Sequence, residues 1–341
     1  MKNSAKYLIV LFLLIGISIG VYYYANRDNS PQETQFAIAP IEEVYTIEMS
    51  SKNGHKMTLN RIGDEWYVNN NYPAEKYKIK GFFELLSKLQ VESNVSAKTR
   101  QSVIKELATN SIKVSAFDQD HKEIKSFYAG GDAASLGTYM ILEHQGQIAA
   151  NPYIVSIPGY RGQFIYNFSL DSIKWRSTQV FGTKYEDLAS IEVNYTHHPN
   201  QSFRMDIDED EIVVKPLIDS AEIKSPVDQE SVIRFLTEME SKNFEYYAEN
   251  DSLKPTILSG KPFCTISTKN LNGTIRSLQM YEMPIHGRSY KVIDDKGAPL
   301  KIDEERFYGV ISGRNDFVVG QYYVFGVLLK NYQSFFKKEK K

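Results

Sequence analysis

Apolar positions along this chain follow three rhythms. Residues 7–24, YLIVLFLLIGISIGVYYY, carry no charge and one clearly polar side chain, Ser18. As a helix rising 1.5 Å per residue, such a run is about 27 Å long, close to the ~30 Å hydrocarbon core of a bilayer, and it predicts a single transmembrane anchor. A helical rhythm places Ile79, Phe82, Phe83 and Leu86 on one face, and does so again at Val232, Phe235, Leu236 and Met239. Strict alternation runs through Ile112-Lys113-Val114-Ser115-Ala116-Phe117 and resumes at Ile124-Lys125-Ser126-Phe127, with Asp118 to His121 between. That pattern predicts a half-buried hairpin.

The patterns recur. Val44-Tyr45-Thr46-Ile47-Glu48-Met49 matches Leu188-Ala189-Ser190-Ile191-Glu192-Val193 at an offset of 144, and both read as strands. The two helical stripes lie 153 apart at all four positions, and Pro73 and Pro226 precede them at that same offset. Ser225 and Asp228 form a capping-box pattern around Pro226, a residue suited to the first helical position. Tyr139-Met140-Ile141 pairs with Tyr290-Lys291-Val292, and Gly146 with Gly297, both at 151. Self-similarity at a near-fixed period predicts a duplicated unit, its drift absorbed by loop insertions. Asn272-Gly273 marks a tight hairpin in the second copy.

Strands outnumber helices and the helices are isolated, so the expected fold class is α+β. It consists of two tandem copies of an antiparallel-strand unit with one packed helix each, after a single N-terminal transmembrane helix. The expected spans are 1–6 (cytoplasmic), 7–24 (anchor), 25–40 (a polar, Pro-flanked spacer), 41–185 (first repeat) and 186–341 (second repeat with a basic tail). Lys2, Lys6 and the amino terminus precede the apolar run, against Arg27 after it. The positive-inside tendency then puts the N-terminus in the cytoplasm and both repeats outside an inner membrane. A cleaved signal peptide is the competing reading. Tyr22-Tyr23-Tyr24-Ala25-Asn26 lacks the small-x-small site it needs.

Composition narrows the function. A net charge of −2 argues against nucleic-acid binding. The single cysteine, Cys264, forms no internal disulfide, and its setting Phe263-Cys264-Thr265-Ile266 reads as a buried strand. Asp206-Ile207-Asp208-Glu209-Asp210-Glu211 resembles a calcium loop, but its sixth and twelfth positions hold Glu211 and Leu217 instead of Gly and Glu. It reads as a solvated hairpin turn. His197-His198 would point to opposite faces of a strand, which is poor geometry for one metal. The Gly-rich run Tyr128 to Gly137 has neither phosphate-loop nor dinucleotide-loop spacing and reads as a hairpin loop. GxSxG is absent, and Ser334 to Lys337 fits SxxK only in a basic tail. No catalytic residue, cofactor or metal set is expected.

Aromatic residues are plentiful, with 23 Tyr and 18 Phe. Tyr160, Trp175 and Tyr323 are the candidate interaction surface, since exposed aromatics anchor ligands and partners. Val318–Leu329 is too short to span a bilayer. It reads as a final helix packed on its own domain or, alternatively, one facing a partner or membrane. Asp171-Ser172-Ile173, Asp219-Ser220-Ala221 and Asp251-Ser252-Leu253 resemble short O-glycosylation acceptors.

Val44 to Glu48, the hairpin ending Trp66-Tyr67-Val68, the helix Phe82 to Leu89, Gly137-Thr138-Tyr139 and the stretch Trp175-Arg176-Ser177 to Val180-Phe181 together resemble the bacterial envelope family named domain of unknown function 4340. The resemblance covers most of residues 41–330 and has no chemical signature. It implies a membrane-anchored envelope protein, often encoded near gliding-type ABC transporter components, and it carries over no catalytic residue. The expected function is a single-pass, membrane-anchored, extracytoplasmic binding or scaffold protein without enzymatic activity, accessory to an ABC-type or gliding-related envelope complex. The alternatives are an envelope ligand-binding protein for glycans or peptides, and an envelope enzyme. Its partners are then the membrane, through residues 7–24, and membrane proteins, with any small-molecule ligand unidentified.

Overall fold

The structure is a computed structural model describing residues 15–16, 34–133, 136–208, 211–218, 223 and 225–337. The chain divides between Ser177 and Thr178 into two compact units.

Unit 1 is built on ten antiparallel strands. They are β1 (Thr46–Ser51), β2 (Lys56–Ile62), β3 (Glu65–Val68), β4 (Tyr72–Pro73), β5 (Gln90–Asn94), β6 (Ile112–Phe117), β7 (Glu123–Asp132), β8 (Thr138–His144), β9 (Gln147–Ile148) and β10 (Tyr153–Ser156). Their order is β4-β3-β2-β1-β6-β7-β8-β10-β5, with β9 paired to β8. Helix α1 (Lys76–Ser87) lays Ile79, Phe82, Phe83 and Leu86 into the main core. There they meet Val114, Ala116, Phe127, Ala129, Met140, Leu142 and Val155, the alternate residues of four strands. The other face of the sheet carries helix α2 (Arg100–Asn110), whose Val103 and Leu107 pack with Ile141, Tyr128 and Tyr139.

Unit 2 has a two-stranded pair, β11 (Gln179–Phe181) with β15 (Lys242–Asn243), and an eight-stranded antiparallel sheet. The sheet comprises β12 (Leu188–Tyr195), β13 (Phe203–Ile207), β14 (Ile212–Pro216), β16 (Tyr246–Tyr247), β17 (Cys264–Asn270), β18 (Ile275–Pro284), β19 (Ile302–Ile311) and β20 (Asp316–Gln321). Its order is β14-β13-β12-β17-β18-β19-β20-β16. Helix α3 (Gln229–Met239) buries Val232, Phe235, Leu236 and Met239 in the core. Two short helices, α4 (Lys254–Ser259) and α5 (Tyr322–Phe325), complete the unit.

The two sheet orders correspond strand for strand from β3 and β14 at one end to β5 and β16 at the other. Register corresponds as well. Glu48 faces Ser115, which faces Ser126; Glu192 faces Ser267, which faces Ser277. One matched segment does not hold. Tyr139-Met140-Ile141 lies in β8, whose counterpart by order is β19, whereas Tyr290 to Val292 lies in the long β18–β19 connection.

The expected fold class is corrected. The units are dominated by antiparallel sheet, and unit 1 packs two helices, one on each face, instead of a single helix. Among the described residues no helix is long and apolar enough to cross a membrane, so the expected transmembrane helix is not part of the described fold. Residues 7–24 lie outside the described residues except for Ile15 and Gly16.

Candidate functional site

The site is a groove of about 640 Å³ in unit 1, lined by Gln90, Glu92, Leu136, Ser156, Tyr160 and Arg161 among others. Its position follows from how β5 is held. The chain leaves α1 through the buried Leu89 and pairs β5 with β10 alone, so β5 is the last strand of the sheet. Val91 packs toward the core, whereas Gln90 and Glu92, the latter at a shift of register against β10, are exposed and line the groove. There the Ser156 hydroxyl donates to Glu92 Oε2 at 2.9 Å. Beyond β10 the chain doubles back through a bridge between Ile157 and Tyr160, with Gly159 at φ +79°. This turn raises one wall of the groove. Leu136 and Tyr160 are each about half exposed beside it, at 55% and 53%.

The groove thus combines an aromatic ring, an aliphatic side chain, a carboxylate and a guanidinium. Arg161 forms no ion pair with any described residue, so its charge is open to a ligand. The groove suits non-covalent recognition of a chain with both apolar and charged groups.

Buried ionisable groups lie elsewhere, and two sets of them form tied clusters. In unit 1 the buried Glu143 takes an ion pair from Lys113 and a hydrogen bond from the Tyr128 hydroxyl at 2.5 Å. Burial, and then Glu143, push the Tyr128 phenol up to about 12. A phenol moved in that direction is a poor base at neutral pH, and the trio ties β6, β7 and β8 together. In unit 2 Arg306 binds Glu245 through Nε at 2.7 Å and Nη2 at 3.0 Å, with the Tyr290 ring 4.5 Å from its guanidinium carbon. The Glu245 carboxylate holds its charge most strongly, and burial alone would act the other way.

Of the three aromatic candidates, only Tyr160 lines the groove. Trp175 is 1% exposed, so its assignment to an interaction surface is corrected: its indole N–H donates to the Ser169 carbonyl at 2.8 Å and its ring packs on Phe82. A large flat ring with one polar atom closes the core well when that atom finds a carbonyl. Tyr323 is 92% exposed, but it stands on α5 of unit 2. Gln90 and Glu92 escaped the sequence reading. Their signal was the alternation around Val91, too short to stand out.

The remaining candidates resolve locally. Asp206 is bonded by Arg204 at 2.6 Å and Lys215 at 3.1 Å, beside the β13–β14 hairpin turn. Burial would raise its carboxyl, and the two cations outweigh that and lower it. His197 and His198 are exposed in the turn after β12. Cys264 is buried, and burial pushes its thiol up to about 12. The Gly-rich run makes room for α2: a Cβ on Gly130 would lie 2.6 Å from Leu107 Cδ2. Val318–Leu329 is the end of β20 followed by α5 and a short 3₁₀ turn, with Phe325 and Leu328 in the core. Asp171 accepts from the Ile173 N–H, Asp251 accepts from the Tyr308 hydroxyl, and residues 219–222 lie outside the described residues.

No curated protein and no solved structure matches this chain. The family described as Domain of unknown function (DUF4340) matches residues 66–260, from β3 of unit 1 past α4 of unit 2. That is more than half of the 341 residues, and the chain belongs to this family.

Proposed function

We propose that this chain is a non-enzymatic binding module of the bacterial envelope, with the groove beside β5 as its ligand site. The observation that carries this reading is the open groove between β5 and the Ile157–Tyr160 turn, with Tyr160, Leu136, Glu92 and Arg161 on its walls. Glycans and extended peptides both suit an aromatic wall flanked by opposite charges. The uncharged run at residues 7–24 supports a place at the inner membrane with the two units outside it. A role as accessory to an ABC-type membrane complex is the partner reading we attach to that location.

The test is binding of the full chain, in mild detergent, to arrays of envelope glycans and of short peptides. The wild type is compared with Tyr160→Ser/Arg161→Glu. Retention of a glycan or peptide by the wild type, lost in the double variant while its thermal transition is unchanged, supports the site. Equal retention by both proteins, or by neither, rejects it.

A further inference from the structure

We propose that the groove of unit 1 takes an extended polypeptide, added to the sheet as a new strand along β5. This rests on the reading of the groove as the binding site and names its ligand class.

The four end strands of the two large sheets are not alike. Natural edges are commonly blunted by shortness or by proline. β4 is two residues long and contains Pro73, β14 ends in Pro216, and β16 is two residues long. β5 is five residues long, has no proline and pairs on one side only, with one irregularity, a shift of register against β10 at Glu92. On either side of that shift, alternate residues of β5 direct their N–H and C=O away from β10.

The equivalent strand of unit 2 is tied back to its own sheet more heavily in the same topology. Around β16 the chain is fastened by side chains: Glu245 holds Arg306, Glu249 Oε1 accepts from the Phe317 N–H at 2.7 Å, and Asp251 holds Tyr308. β5 has one such tie, Glu92 to Ser156, and it draws the Glu92 carboxylate onto the groove face. Glu92 therefore lines the groove and does not guard the edge.

A strand added at β5 would receive main-chain hydrogen bonds for affinity and side-chain pockets for selectivity. Alternate side chains of that strand fall on the groove face. Glu92 there favours a Lys or Arg. Arg161 favours an Asp or Glu, and Leu136 with Tyr160 favours an apolar residue. The ligand is thus an alternating peptide with a basic and an acidic residue on one face.

The experiment uses the full chain in mild detergent. The probes are acetylated, amidated nonapeptides of alternating apolar and polar residues, with Lys, Gln or Glu varied at two same-face positions. The tightest probe is then made again with N-methyl groups in one register or the other. Strand addition predicts that one register weakens binding at least about tenfold while the other changes it less than about threefold. It also predicts that Glu92→Lys shifts the preferred residue at one probe position from Lys to Glu, and Glu92→Gln abolishes that preference. Binding that ignores N-methylation in both registers but is lost in Tyr160→Ser/Arg161→Glu overturns strand addition and leaves the groove as a site. Binding that survives that double variant, or no binding by any probe, overturns the peptide proposal; glycan retention on the arrays then decides whether the groove reading stands.

Discussion

The Trp175 ring meets the Phe82 ring edge-on, with centroids 4.8 Å apart and planes at 75°. In unit 2 Phe335 meets Phe235 in the same way, at 5.3 Å and 80°. The main chain repeats too: the Glu75 N–H donates to the Trp175 carbonyl and the Asp228 N–H to the Phe335 carbonyl, both at 2.8 Å. The last segment of each unit therefore returns to cap the helix that starts its core.

This closure predicts where mutations will hurt. Trp175→Ala should destabilise unit 1 by about 3–5 kcal/mol, the range for deleting a large buried aromatic. Trp175→Phe should cost less, because unit 2 closes with a phenylalanine at that place. Tyr323→Ala, at 92% exposure, should stay within about 0.5 kcal/mol. Urea unfolding of the three variants ranks them. Equal transitions for Trp175→Ala and Tyr323→Ala would refute the capping role.

The tie across β6, β7 and β8 makes a second prediction. Removing one partner of a buried pair leaves a charge without compensation, which costs about 3–5 kcal/mol when both groups are buried. Lys113 keeps 31% of its side chain exposed while Glu143 keeps 5%, so the full figure does not apply. Lys113→Met should cost about 1–3 kcal/mol by that discounted scale. Lys113→Met/Glu143→Gln should recover part of the loss. A double variant no more stable than Lys113→Met would contradict this.

Gly137 sets a third test. Its φ is +154°, and a Cβ there would sit 2.1 Å from the Val155 carbonyl oxygen, a backbone atom that moves only with β10. Gly146 has φ +79° and nothing within 4 Å of its would-be Cβ. Gly146→Ala should therefore cost about 1 kcal/mol, from the left-handed conformation alone. Gly137→Ala should cost several-fold more, and because β10 holds Ser156, it should also disturb the groove. Comparable melting temperatures for the two variants would show that the close approach is absent in solution.

These residues also show what was legible in the sequence. The stripes at Ile79 and Val232 and the Val44/Leu188 match were visible because core burial imposes strict periodicity on both copies. Helix α2 was not, since only Val103 and Leu107 of its eleven residues are buried. It is held instead by the close approach at Gly130, a contact that periodicity does not record. The Tyr139/Tyr290 match failed because the long β18–β19 connection displaces sequence from topology. Trp175 looked like a surface aromatic because composition does not report burial. The groove was half legible: Tyr160 stood out, and Glu92 on a five-residue strand did not.

The single thiol gives the last prediction. Cys264 has no solvent exposure, and burial raises its thiol from 9.0 to about 12. The sign follows from proton binding: between those values the unfolded chain has lost the proton and the folded chain keeps it. The contribution is fully present below about pH 9 and is lost as pH rises through about 12, at no more than about 1.4 kcal/mol per pH unit. Tyr128 is raised in the same direction, so its contribution fades over an overlapping alkaline window. These two groups should thus make stability fall beyond about pH 9, and Cys264→Ala should remove the thiol's share of that fall. A thiol that is buried and held protonated reacts slowly, so a thiol-specific reagent should label the native chain at a rate set by its opening. Labelling of the native protein as fast as of the urea-unfolded chain would place Cys264 outside the core of unit 2.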